Sequence, residues 1–329
     1  MTDRSGRSAD QPGKIPPRGW LQSIWRVKDE IGRDNIGIVA GGVSFYAFLA
    51  IFPALAAAGM IWGAVADPAV VREQLAAWRG VIPPAAYEIL DDQLTQVSSS
   101  PANALSLGAA FSLLLALWSS TKGVKSLMAA MNIAYGETER RGWFKLNLVA
   151  LALTVGAILM GLTAIAAVAV APALLAFLDL GFAATLALAA LRWGGMLVLV
   201  MVGLAVLYRW GPSRRDARLC WVTPGAVVAT LLWLIASAGF SIYVANFANY
   251  NETFGALGAV VILLMWFWLT GYAICLGAEL NCQLELQTAR DTTVGPERPM
   301  GERGAYAADH VAGERSEPAP HGPVGVKPG

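Results

Sequence analysis

Residues 36–66 read IGIVAGGVSFYAFLAIFPALAAAGMIWGAVA, 31 positions without a charged side chain. At 1.5 Å of rise per residue, about 20 apolar residues suffice for a helix to cross the roughly 30 Å hydrocarbon layer of a bilayer. This one run is long enough to span a membrane. Working outward, the same property recurs at about 104–121, 146–172, 182–208, 222–247 and 254–278. Backbone polar groups in hydrocarbon must satisfy one another within the segment, so each run is expected to be helical. The short alternating segments of a membrane β-barrel are absent. The expected fold is all-α: a polytopic membrane protein with six transmembrane helices, plus short interfacial helices.

Composition agrees. Of 329 residues, 56% are hydrophobic and 14% charged, against about 45–50% and about 25% in an average soluble domain. The net charge of +1 offers no electrostatic reason to bind nucleic acid. Three cysteines, Cys220, Cys275 and Cys282, show no pairing or metal spacing, and the only histidines are His310 and His321. A disulfide scaffold, a zinc protein and an ordinary soluble enzyme are thereby excluded.

The cations set an orientation. Of 24 Lys and Arg, 21 fall on the side of the N-terminus (1–35, Lys122 to Lys145, Arg209 to Arg218, and the C-terminal tail). Two, Arg72 and Arg79, lie in the first opposite loop, and Arg192 lies inside the fourth run. The positive-inside rule then places both termini in the cytoplasm. Arg192-Trp193 reads either as an interfacial anchor or as a charge lining a cavity. The N-terminus lacks the short apolar core and cleavage site of a signal peptide. With the reducing side facing Cys220 and Cys282, free thiols are expected.

Outside the six-span domain (36–288), residues 1–17 and the Pro/Gly-rich stretch 289–329 read as disordered tails. Residues 18–35 place Trp20, Ile24, Val27 and Ile31 on one helical face. They predict an amphipathic helix that either lies on the inner leaflet or packs on the ends of the bundle. The outer loop 67–103 predicts two short helices divided by Pro83-Pro84.

Two constellations stand out. In the first run, Gly37, Gly41, Gly42 and Ser44, with Tyr46, precede Pro53. Small residues admit a neighbouring helix, and Pro53 predicts a kink near Leu49 that packs tightly or opens a cavity. At the end of the sixth run Glu279 is expected at the depth of Lys122, Lys125 and Arg209, giving an ion pair at the cytoplasmic face. No phosphate loop ending in Gly-Lys-Ser/Thr, His-Glu-x-x-His or Cys-x-x-Cys occurs. The residues therefore nominate no catalytic group, metal ligand or cofactor.

Several motifs occur in a fixed order: Ser44-Phe-Tyr46 with Phe52-Pro53, Met131-Asn132-Ile-Ala-Tyr135, Leu207-Tyr208-Arg209 with Pro212, Tyr250 with Phe254-Gly255-Ala256-Leu257-Gly258, Trp266, and Leu276-Gly277-Ala278-Glu279-Leu280-Asn281. Together they resemble the YihY/virulence factor BrkB family of bacterial inner-membrane proteins, over about residues 20–288. The resemblance implies six spans, a plasma-membrane location and no established activity. Members have carried the label ribonuclease BN, which the missing metal ligands argue against here.

The expected function is non-enzymatic: transport, or assistance to transport, of a lipid-like or small amphipathic solute. The alternative is a non-catalytic protein that organises envelope components. Expected partners are membrane lipids and a second copy or envelope proteins, not nucleic acid.

Overall fold

In the computed structural model, residues 5–65, 102–176, 182–246 and 256–313 are described. The expected outer-loop helices at 67–103 lie almost wholly outside them. A 3-10 turn (Pro12–Lys14) leads into α1 (Pro17–Arg33), whose Pro17 sits in the first turn, where its missing N–H goes unneeded. The chain then turns by 66° at Asn35, which takes φ +50°, a left-handed conformation that Asn tolerates better than most residues.

A helix lies over each of the six apolar runs: α2 (Ile36–Val65), α3 (Ala102–Ala134), α4 (Trp143–Ala176), α5 (Phe182–Trp210), α6 (Leu219–Asn246) and α7 (Ala256–Glu285). The short α8 (Tyr306–Asp309) follows. Consecutive members of the set α2 to α7 pack on one another, and α7 returns to α2, so the six form a closed ring. Among the described residues, four stretches are long and apolar enough to cross a membrane: Trp143–Ala164, Leu186–Trp210, Leu219–Val244 and Val260–Glu285. Counting α1 with the start of α2 as one bent span makes five.

Burial is strongly lopsided. The apolar core gathers Ile36, Met131, Tyr135, Tyr208, Val222 and Cys282, all at the end of the ring that carries the basic residues. Towards the middle of α4 and α5, by contrast, Leu159, Leu162, Leu191, Val198 and Val202 are exposed. A belt of uncovered aliphatic side chains on that scale suits a lipid solvent.

The two ends of the chain differ from expectation. Residues 5–16 and 289–313 are folded rather than disordered where they are described. Arg7 O accepts from Ala289 N at 2.8 Å, Thr288 Oγ1 donates to Ala9 O at 2.5 Å, and Val294 N donates to Asp216 O at 2.9 Å. Composition misled because the Pro/Gly count covered the whole stretch, whereas Asp291, Thr292, Thr293 and Arg303 in its first part are buried and hydrogen-bonded. The helix α2 is assigned without a break through Pro53, and a 66° bend lies before its start, at Asn35. And α4 runs past Pro172 to Ala176.

Candidate functional site

The basic end is organised around the last two turns of α7. Glu279, Leu280, Asn281, Cys282, Gln283, Leu284 and Glu285 are buried in succession. Burial at every consecutive position of a helix means that it is surrounded on all faces. Each polar member meets a different neighbour.

Asn281 answers a defect in α6. Pro224 lies inside that helix and cannot donate to the preceding turn. The Asn281 amide spans the break: its Oδ1 accepts from Gly225 N at 2.7 Å and its Nδ2 donates to Val222 O at 3.1 Å. The helices touch here because both contact residues are glycine. A Cβ on Gly225 would run into Gly277 O, and one on Gly277 into Tyr208 Oη. That hydroxyl donates to Ile274 O at 2.8 Å, tying α5 to the same turn.

Glu285 receives a bidentate bond from Arg214 in the α5–α6 loop, at 3.1 and 2.6 Å, and a third from Thr292 Oγ1 at 2.6 Å. The two charged side chains are 1% and 0% exposed. Burial works against the Arg214 charge, and the Glu285 carboxylate outweighs it and holds the guanidinium protonated. The cation lies 5.0 Å above the Tyr135 ring. Next to it, Arg141 grips Glu139 through two 2.7 Å bonds and caps the carbonyls of Trp210 and Gly211. Burial alone would raise the Glu139 carboxyl, but Arg141 and Asn132 outweigh it and hold it at about 2. Burial pushes Glu137 above the usual range, against the Tyr306 amide that donates to it at 2.6 Å.

Ser23 and Arg26 hold α1 to this end. Ser23 Oγ donates to Gln283 O at 3.2 Å, and Arg26 bonds Gln283 and Gln287. The stripe seen in the sequence is thereby divided: Trp20, Val27 and Ile31 pack inward, whereas Ile24 joins Leu21 and Trp25 on the exposed face. Between α1, the end of α3, α7 and the C-terminal segment a cavity of about 400 Å³ remains open. Glu279, Asp34 and Glu30 line it, with Arg26, Arg33 and His310 at its other walls.

The residues nominated from sequence are distributed as follows. A Cβ on Gly37 or on Gly41 would lie 4.0 Å from the Trp268 ring, whose Nε1 donates to Gly37 O at 2.9 Å. Ser44 Oγ donates to Leu264 O at 2.8 Å, and Gly42 has nothing within 4 Å of a Cβ. Tyr46 is exposed, and its backbone faces Gly123 of α3. The side chain of Pro53 lies outside the described residues. This stripe is a packing face between α2 and α7.

The expected ion pair at Glu279 is not formed. Lys122 sits 4.4 Å over the Trp118 ring, Lys125 donates to Asn147 at 2.6 Å, and Arg209 is 3.8 Å from Asp216. Depth along the bundle gives no azimuth, and α7 turns Glu279 towards α1, where its charged neighbours are Asp34 and Glu30. Arg192 is half-buried with its guanidinium 5.3 Å from the Trp193 ring. Among the described residues no group of three or more His, Cys, Asp or Glu is placed to hold a metal.

The sequence itself matches the family model for virulence factor BrkB over residues 27–301. This chain belongs to the virulence factor BrkB family. It is a multi-pass membrane protein, similar to relatives named as UPF0761 membrane proteins. A UPF0761 membrane protein of Pseudoalteromonas translucida (strain TAC 125) is 24% identical over 302 residues, covering 89% of this chain and 95% of the relative. YfkH of Bacillus subtilis (strain 168), whose name calls it ribonuclease-like, is 33% identical over 181 residues, 53% of this chain and 64% of YfkH. A UPF0761 membrane protein of Alteromonas mediterranea is 41% identical over 85 residues, 26% of this chain and 28% of the relative. The match to this BrkB chain thus spans less than two thirds of the latter two relatives. No solved structure matches it.

Proposed function

We propose that this BrkB-family protein is a non-enzymatic membrane protein that moves, or helps to move, an amphipathic solute, admitting its polar part at the basic end. In this reading all six helices of the ring cross the bacterial inner membrane, and both termini are cytoplasmic. The observation that carries the proposal is the cavity of about 400 Å³ walled by buried Glu279. A polar recess at one end of a ring whose sides carry an apolar, lipid-suited belt suits a molecule with a charged head and a greasy tail.

The charge distribution supports the orientation, since Arg140, Arg141, Arg214, Arg215 and Arg218 gather with both described chain ends at one end of the ring. The test is reconstitution into liposomes. Flux of an amphipathic solute, or lipid scrambling, above that of empty vesicles is expected. Vesicles that behave as if empty, with folded protein verified inside them, would instead favour a role in organising envelope components.

A further inference from the structure

The helix α1 buries one face and leaves the other open. Trp20 and Val27 pack with Trp221 of α6 and with Leu280 and Leu284 of α7, and Ile31 packs in the cluster that holds Ile36 at the start of α2. The helix therefore runs along the rim of the ring, from α2 past the end of α7 to α6. Its open face is not polar. Leu21, Ile24 and Trp25 are each more than half exposed. Their spacing sets them on one stripe, and exposed Lys28 falls on the same stripe, its Nζ 5.1 Å from the Trp25 ring. Exposed Arg18 stands at the edge of the stripe, and the acidic Asp29 falls at that same edge, beside Gln22.

We propose that this open face rests on the anionic headgroup layer of the leaflet at the basic end, so that α1 is a membrane-surface helix clasped to the end of α7. The angle supports it. The axis of α1 is bent by 66° from the start of α2, so where α2 crosses the bilayer α1 lies much nearer the membrane plane than the normal. The position supports it too, since the rim is where the ring meets lipid. The side chains complete the case. Leu21, Ile24 and Trp25 would sink into the boundary between headgroups and acyl chains, while Lys28 lays its stem along Trp25 and carries its charge to the phosphates. Lys28 and Arg18 against Asp29 leave the face positive, which anionic lipid attracts. A second copy of the chain fits less well, because three part-exposed apolar side chains fall far short of the about 800 Å² that each partner buries in a stable interface.

The inference rests on α2 crossing the membrane, as in the proposed function, and not on transport; flux decides the one and the surroundings of α1 the other. Nitroxide labels are attached at Leu21→Cys, at Ile24→Cys and, as a control, at Asp29→Cys, in the full chain carrying Cys220→Ser, since Cys275 and Cys282 are buried. All three labelled positions are exposed, so the fold does not depend on them. Collisions with oxygen, which concentrates in lipid, and with a nickel chelate, which stays in water, are measured in nanodiscs of phosphatidylcholine with and without phosphatidylglycerol. Labels at 21 and 24 are expected to favour oxygen, and the label at 29 the nickel chelate. Phosphatidylglycerol should shift 21 and 24 further towards oxygen, and that shift should be lost in added salt and in Arg18→Gln/Lys28→Gln. Labels at 21 and 24 that favour the nickel chelate would overturn the proposal. Shielding from both probes would overturn it as well, in favour of a second copy if the spins broaden one another and of another protein surface if they do not. Equal immersion with and without phosphatidylglycerol would overturn the anionic partner.

Discussion

Removing the Arg214 guanidinium should expose how firmly the basic end is locked. In Arg214→Met the two bonds of 3.1 and 2.6 Å to Glu285 vanish, and Thr292 remains as the carboxylate's other donor. Both partners are essentially inaccessible, at 1% and 0% exposure, so water does not replace the lost donors. Breaking a buried pair by deleting one member costs about 3–5 kcal/mol, because an uncompensated charge stays behind. With roughly 2–4 °C per kcal/mol for domains of about 150–250 residues, the melting temperature should fall by about 6 °C or more. The assay is thermal unfolding in detergent with a thiol-reactive dye, since Cys275 and Cys282 are buried in the folded protein. The double variant Arg214→Met/Glu285→Leu should recover most of the loss, because it removes both charges together. The reasoning is refuted if Arg214→Met melts within about 2 °C of wild type, or if the double variant loses the sum of the two single losses.

The glycine crossing gives a sharper contrast. Gly277→Ala would place a Cβ against Tyr208 Oη and Gly225 O and should cost at least about 1–3 kcal/mol, read as lower folded yield. Gly239→Ala, with nothing within 4 Å, should be neutral or slightly stabilising. Asn281→Ala leaves the Gly225 N–H and Val222 carbonyl without their side-chain partner and should cost about 1–3 kcal/mol in the same assay. For Glu139, held at about 2 in the folded protein, the stabilising contribution is complete above the unfolded value of about 4.3 and disappears as pH falls through the folded value. The melting difference between wild type and Glu139→Gln should therefore shrink steadily as the pH is lowered from about 5 towards about 2; a difference that stays constant contradicts the assignment.

The helices were legible because lipid leaves the chain little choice: a long uncharged run must hide its own backbone, and Ile36 and Phe182 start helices where their runs start. Helix ends were less so. The sixth run stops being apolar near Ala278, but α7 continues to Glu285, because its polar residues are buried among partners from other segments. Those partners are far apart in the chain: 71 residues separate Arg214 from Glu285, and 56 separate Gly225 from Asn281. No periodicity reports such pairs. A signal was present, however, in the spacing of Glu279, Asn281, Gln283 and Glu285: at 100° per residue, polar residues at every second position fall on two opposite faces of a helix, so that both faces need polar neighbours. The pairing of Glu279 was misjudged for a related reason, since depth ranks residues along the bundle and leaves open which neighbour each one faces. The packing role of Gly37, Gly41 and Ser44 against α7 was one of the two readings that their spacing allowed.

The most direct test of the account is the side of the membrane on which each connection lies. Dual reporters, one active only outside the cytoplasm and one fluorescent only inside it, would be fused after residues 90, 138, 180, 214, 250 and 313. Cytoplasmic signals are expected at 138, 214 and 313, with external signals at 90, 180 and 250. An external signal at 313, or two neighbouring fusions reporting the same side, would contradict six crossings with the basic end, and the Glu279 cavity with it, facing the cytoplasm.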